Sequence, residues 1–107
     1  MTNPCYVAGI EGGGTKFVVA VGTAEGEILA ETRIPTTTPD ETLSRVADFI
    51  EDEMKEIGSL AAIGIASFGP IDPRLASVKY GHILRTPKTA WINADLVGAF
   101  RERFDVP

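Results

Sequence analysis

The sequence has very few of the residues that build disulfide frameworks and zinc sites. Its 107 residues include a single cysteine, Cys5, and a single histidine, His82. One cysteine forms no internal disulfide, which is typical of proteins from the reducing cytoplasm. A structural zinc site takes four ligands, mostly Cys and His, so we expect none in this chain.

Long apolar runs and an excess of positive charge are absent as well. No apolar segment approaches the roughly 20 residues that a membrane-spanning helix needs. The first residues lack the basic stretch and apolar run of a secretory signal. The formal net charge of −5 opposes binding to nucleic acid. We therefore expect a cytoplasmic protein with neither a membrane nor a nucleic acid as its partner.

What is present is typical of a folded α/β domain. Hydrophobic residues make up 44% of the chain and charged residues 23%, as in ordinary globular proteins. Apolar, β-branched segments predict strands, and the first three, joined by tight turns, predict an antiparallel meander. The predicted strands are 6–10, 16–22, 27–34 and 61–66, with a weaker candidate at 75–80. The fourth is wholly apolar, which predicts a central strand covered on both faces.

Two helices complete this α/β pattern of a mixed sheet with packed helices. Thr38 begins the first as its N-cap, Pro39 follows at the first helical position, and Gly58 ends it. Apolar residues at helical spacing between these caps predict a helix over 39–57 with one buried face. Asn93 is a candidate cap for a second helix that extends to Phe104.

A run of three glycines, Gly12–Gly14, joins the first two predicted strands. A Walker loop and a dinucleotide-binding loop both lead into a helix, whereas this run leads into a strand, which excludes both. Two interpretations stay open. The run is either a plain tight turn or an anion-binding hairpin whose amides point at a phosphate.

The residues around the glycines favour the chemistry of phosphate. Gly12, Gly13 and Gly14 lack Cβ atoms and allow a close approach of backbone to anion. Thr15 adds a hydroxyl donor, and Lys16 adds a point charge suited to phosphate. Glu11 is a candidate ligand for Mg²⁺ through water, since this hard cation keeps several of its waters.

The segment Glu11-Gly-Gly-Gly-Thr-Lys16 resembles the first phosphate motif of the hexokinase–actin superfamily, and within it the ROK family of sugar kinases and repressors. The segment 64–72, Gly-Ile-Ala-Ser-Phe-Gly-Pro-Ile-Asp, is similar to the family's strand and loop on the sugar side. Thr86-Pro87-Lys88 with Trp91 is a third match. Lys88 stands where many ROK glucokinases have asparagine, and Lys88 and Glu11 are more like the ROK fructokinases.

The resemblance implies a ribonuclease H-like, actin-like ATPase lobe that spans residues 1–107. It also implies transfer of the ATP γ-phosphoryl group to a hexose, with fructose as the expected substrate and Mg²⁺ as the metal. Gly12–Lys16 would hold the phosphates, Glu11 would hold the metal, and Gly69, Pro70, Thr86 and Lys88 would shape the sugar side.

The same resemblance assigns several parts of the enzyme to sequence outside this chain. The general-base aspartate is expected just beyond Pro107, so the 107 residues hold no catalytic residue and are expected to be inactive alone. The adenosine pocket and any zinc site are expected in a second lobe. A homodimer is expected for the complete protein.

Alternatives to a fructokinase stay open. A sugar-responsive ROK regulator shares this lobe but carries a winged helix before the glycine motif. Only ten residues precede Glu11 here, too few for that segment. A sugar-binding module without catalysis is a third reading, and glucose, mannose or an N-acetylated hexose are alternative substrates.

Overall fold

Four strands and two α-helices form the described part of the chain. The computed structural model describes residues 5–67, 72–84, 86 and 88–107. Within them the strands run Tyr6–Gly12 (β1), Lys16–Thr23 (β2), Ile28–Pro35 (β3) and Ala62–Ser67 (β4), and the helices run Pro39–Ile57 (α1) and Leu96–Arg103 (α2). A short 3₁₀ turn, Thr89–Trp91, lies before α2.

The strands form one mixed sheet in the order β3-β2-β1-β4. β1 pairs antiparallel with β2, and β2 pairs antiparallel with β3, so the predicted meander is confirmed. β4 pairs with β1 in parallel, after a crossover that contains α1. This topology brings the start of the chain into the middle of the sheet, where β1 has a partner on each side.

One face of the sheet carries the core. Side chains alternate along β1 and β2, so Ile10, Phe17 and Val19 point to the buried face while Glu11 and Val18 point to the other. Val46 and Ile50 of α1 are fully buried in the same hydrophobic cluster. Successive side chains of a strand point to opposite faces of the sheet. The residues that alternate with the core residues near the glycine run, Glu11 and Val18, therefore lie on the open face.

The first helix has the predicted bounds and caps. The Thr38 side chain accepts a hydrogen bond from the Glu41 amide at 3.3 Å. Gly58 has φ of 87° and its amide bonds to the Met54 carbonyl at 2.8 Å. A φ in that left-handed region suits glycine, which explains why the helix ends there.

The prediction that the fourth strand is central and covered on both faces is wrong for the described part of the chain. β4 ends the sheet, and its residues are exposed or half-buried. Ile63 and Ile65 pack against the core, while Gly64 and Ala66 face outward. Glycine and alanine count as apolar in a pattern but contribute little area to bury, so a continuous apolar run overstated the burial.

The predicted strand over 75–80 and the cap at Asn93 are also wrong. Residues 75–80 form successive turns. The Ser77 amide donates to the Arg74 carbonyl and the Tyr80 amide to the Ser77 carbonyl, and these local hydrogen bonds take the place of strand pairing. Asn93 has φ of 65° and its amide bonds to Ile83. Asp95 caps α2 instead, accepting from the Gly98 amide at 2.9 Å.

Candidate functional site

The glycine run forms the tip of the hairpin between β1 and β2. β1 ends at Gly12 and β2 begins at Lys16, so the loop between them is Gly13–Thr15. The Gly13 amide donates to the Lys16 carbonyl at 2.9 Å and closes the turn. A strand follows the loop, as the sequence predicted, and the exclusion of a Walker or dinucleotide-binding loop is confirmed.

Two of the three glycines are needed for packing of the hairpin itself. A Cβ atom on Gly13 would lie 2.7 Å from the Lys16 carbonyl oxygen, and one on Gly12 would lie 3.0 Å from the Phe17 ring. Neither contact leaves room for a methyl group without a shift. Gly14 is different, because a Cβ there would meet only the side chain of Lys88, at 3.7 Å from its Cε.

Several hydrogen-bond donors at this tip are available to a ligand. Within the described part of the chain, the Gly14 and Thr15 amides, the Thr15 hydroxyl and the Lys16 ammonium donate no hydrogen bond. Thr15 and Lys16 are exposed. These groups, with Glu11 and Val18, line an open pocket of about 220 Å³. Clustered donors without partners suit an anion.

The Glu11 carboxylate lies beside these donors on the open face of the sheet. Its side chain lines both this pocket and a neighbouring hollow of about 530 Å³ that extends along the sheet. Glu11 forms no ion pair with any described residue, and the described ranges contain no group of three metal-ligating side chains. A single unpaired carboxylate fits Mg²⁺, a hard cation that keeps most of its waters when a protein holds it through one or two carboxylates.

Thr36 stabilises the hairpin loop through two of its carbonyl oxygens, a role that the sequence analysis did not predict. Its hydroxyl donates to the Gly13 carbonyl at 2.7 Å, and its amide donates to the Thr15 carbonyl at 2.9 Å. Both contacts occupy carbonyl oxygens of the loop, which would otherwise repel an anion. The signal available in the sequence was the run Thr36–Thr38, of which only the last residue was interpreted.

Trp91 is a core anchor. It is 1% exposed, and its ring stacks on Phe17 with centroids 5.5 Å apart. Its indole Nε1 donates to the Thr37 carbonyl at 2.8 Å. The 3₁₀ turn that contains Trp91 is therefore attached to the base of the hairpin through Phe17 and to the segment before α1 through Thr37.

The residues predicted for the sugar side are only partly described. Gly69 and Pro70 lie outside the described residues. Thr86 is half-buried, and its hydroxyl accepts a hydrogen bond from the Lys88 amide at 3.2 Å. Lys88 is exposed and its Cε approaches Gly14. The structure thus brings Lys88 together with the predicted phosphate motif.

Asp72 organises the described residues that follow the predicted sugar loop. Its carboxylate is buried and accepts from the Arg74 guanidinium at 2.9 and 3.0 Å and from the Ser77 hydroxyl at 2.7 Å. The pKa of Asp72 is held well below its ordinary value, mainly by the hydrogen bonds from the Arg74 side chain and to a lesser extent by the one from Ser77.

This ion pair predicts a pH-dependent stability. A lowered pKa in the folded state means that the ionised Asp72 stabilises the fold above about pH 4 and loses that effect at lower pH. Asp72→Asn lacks the charge at every pH. We expect the Tm difference from wild type to be largest above pH 5 and to shrink below pH 4, in thermal unfolding followed by circular dichroism. The exposed Asp105→Asn is the matched control, and a difference that does not change with pH would contradict the assignment.

Comparison with known protein families identifies the family of this chain. The model of the ROK family matches residues 7–107. The chain belongs to the ROK family. The match begins in β1 and includes the glycine hairpin, the crossover helix and the segment that contains Trp91.

Curated relatives of this ROK chain include two named fructokinases. It is 42% identical over 102 residues to the Fructokinase of Lactococcus lactis subsp. cremoris, covering 95% of this chain and 33% of that protein. It is 46% identical over 99 residues to the Fructokinase of Zymomonas mobilis, covering 92% of this chain and 33% of that protein. The chain spans about a third of the length of the curated relatives it matches.

Solved structures of the family share the fold. A ROK family glucokinase from Streptomyces griseus, crystallised with glucose and AMPPNP, has a TM-score of 0.65 at 25% identity and covers 95% of this ROK chain and 31% of its own. A ROK family transcriptional regulator has a TM-score of 0.74 at 19% identity, over 97% of this chain and 26% of its own. The predicted fold class, a mixed-sheet lobe of the actin-like ATPase type, is confirmed. Neither helix in the described ranges is long and apolar enough to cross a bilayer.

Proposed function

We propose that this chain is the N-terminal lobe of an ATP-dependent sugar kinase of the ROK family. In this proposal the glycine hairpin binds the phosphates of ATP, and the complete protein phosphorylates a hexose. The observation that carries the proposal is the cluster of unpartnered donors at Gly14–Lys16 beside the unpaired carboxylate of Glu11. The kinase relatives support it, since the names of two relatives more than 40% identical state this activity for them.

In phosphoryl transfer from ATP, the hairpin would bind the phosphates and neutralise their negative charge. A hydroxyl oxygen of the hexose attacks the γ-phosphorus, and the bond from that phosphorus to the β–γ bridging oxygen breaks. ADP leaves with the bonding electrons, and the hydroxyl proton passes to a general base, which the family resemblance places outside these 107 residues. Catalysis of such a transfer is mainly positioning and charge stabilisation. Lys16 and the free amides supply positive charge to the phosphates. Glu11 would hold Mg²⁺ through water, and the ion would neutralise negative charge on the phosphates.

We infer that the hexose is fructose. Lys88 and Glu11 carry the resemblance to fructokinases, and the curated relatives with that name support it. Gly69, Pro70 and Thr86 are the proposed sugar-side residues. A transcriptional regulator has less support, because the likeness to the solved regulator is at 19% identity and shows the fold alone.

The test is a coupled ADP-release assay on the complete protein with a panel of hexoses. We expect ATP-dependent turnover of fructose, with a kcat/KM at least about tenfold above glucose, mannose and N-acetylglucosamine, because loss of one well-placed polar contact costs about that factor or more. The control is the 107-residue chain alone, which we expect to show no turnover. Preference for another hexose would contradict the assignment of fructose as the substrate. No turnover with any hexose would contradict the kinase assignment.

A further inference from the structure

Lys88 reaches the phosphate hairpin from a separate part of the chain. Its Cε lies 3.7 Å from the position that a Cβ on Gly14 would occupy. The ammonium group is one bond farther along the same side chain. Gly14 is the one glycine of the run whose missing Cβ leaves space for another side chain rather than for the hairpin's own backbone or for Phe17.

A buried, stacked aromatic pair positions the backbone of Lys88. Lys88 precedes the 3₁₀ turn, and its carbonyl accepts from the Trp91 amide at 2.9 Å. Trp91 is buried and stacked on Phe17, which directly follows Lys16 in β2. Lys16 is thus bonded to Phe17 along the chain, and Lys88 is hydrogen-bonded to Trp91, the other ring of the stacked pair. Their backbones are therefore linked to each other through the core.

The charge of Lys88 is uncompensated. Lys88 is exposed and forms no salt bridge with any other residue in the described ranges. An ammonium is a compact point charge, which suits phosphate, whereas a hexose is neutral and presents hydroxyl groups. The family resemblance by itself implied that Lys88 lies on the sugar side, but its proximity to Gly14 favours the phosphates.

We propose that Lys88 is a second phosphate-binding cation of this site, which acts with Lys16 on the terminal phosphates of ATP. This inference rests on the proposed function. As the γ-phosphoryl group moves from ADP to the hexose oxygen, negative charge stays on its oxygens and accumulates on the bridging oxygen. A cation beside Gly14 stabilises that charge throughout the transfer.

The experiment compares Lys88→Met, Lys88→Arg and the control Lys55→Met in the complete protein. Lys55 is an exposed lysine of α1 that pairs with Asp52, on an element that contributes no residue to the hairpin pocket. Calorimetry measures the Kd of AMP, of the non-hydrolysable ATP analogue AMPPNP and of fructose. Steady-state kinetics give kcat and both KM values.

We expect Lys88→Met to weaken AMPPNP about 10- to 100-fold, since a hydrogen bond to a charged group contributes about 1.5–3 kcal/mol. The Kd values of AMP and fructose should stay unchanged, kcat should fall, and Lys88→Arg should recover part of the loss. A rise in the fructose Kd with unchanged AMPPNP binding would overturn the inference, as would a variant equal to Lys55→Met. If the wild-type protein phosphorylates no hexose, the proposed function fails, while the comparison of AMPPNP with AMP still decides the role of Lys88.

Discussion

Replacing Trp91 with alanine is expected to lower the free energy of unfolding of this chain by about 3–5 kcal/mol, the range for a large aromatic residue removed from a core. The ring is 1% exposed and stacks on Phe17. Its loss would leave a cavity under the hairpin and the Thr37 carbonyl without its indole donor. Urea unfolding should be followed by circular dichroism, because Trp91 is the only tryptophan in the sequence.

Two variants separate the contributions of Trp91. Trp91→Phe keeps an aromatic ring but removes the donor to Thr37, so we expect a smaller loss of about 1–3 kcal/mol. Ile92→Ala, next in sequence and 42% exposed, should change stability little. If Trp91→Ala unfolded at the same urea concentration as Ile92→Ala, the 3₁₀ turn would not be anchored as described.

Lys16→Ala should reduce kcat/KM for ATP by about 100- to 1,000-fold in the complete protein, the effect of removing one preorganised donor at developing charge. The Lys16 ammonium group forms no ion pair with any described residue, so its charge is free for the phosphates. We expect the larger part of the loss in kcat and in binding of AMPPNP. The Kd of fructose should stay the same.

The controls for Lys16 distinguish a lost phosphate contact from a damaged fold. Lys16 is exposed, so the melting temperature of Lys16→Ala should remain near that of wild type. Lys55→Ala removes an equally exposed lysine from α1 and should leave kcat/KM unchanged. Turnover by Lys16→Ala with an unaltered KM for ATP would exclude the proposed contact.

Local signals in the sequence were sufficient for the elements whose ends are marked by special residues. Thr38, Pro39 and Gly58 located α1 because caps and a left-handed glycine act within a few residues of the helix ends. The glycine hairpin was predictable for the same reason, since its turn closes between Gly13 and Lys16. Over 75–80 no such residues mark the ends of an element, and a series of turns was mistaken for a strand.

The sequence by itself determined the meander, the crossover helix, the position of the glycine loop and its family, because each depends on residues that are neighbours along the chain. Only the tertiary structure decided that Thr36 supports the loop from behind, that β4 ends the described sheet, and that Lys88 meets Gly14. Those contacts join residues far apart in sequence. Thr36 reaches the loop because β3 pairs with β2, and Lys88 is placed by the segment of Trp91, which stacks on Phe17. No local pattern in the sequence contains that information.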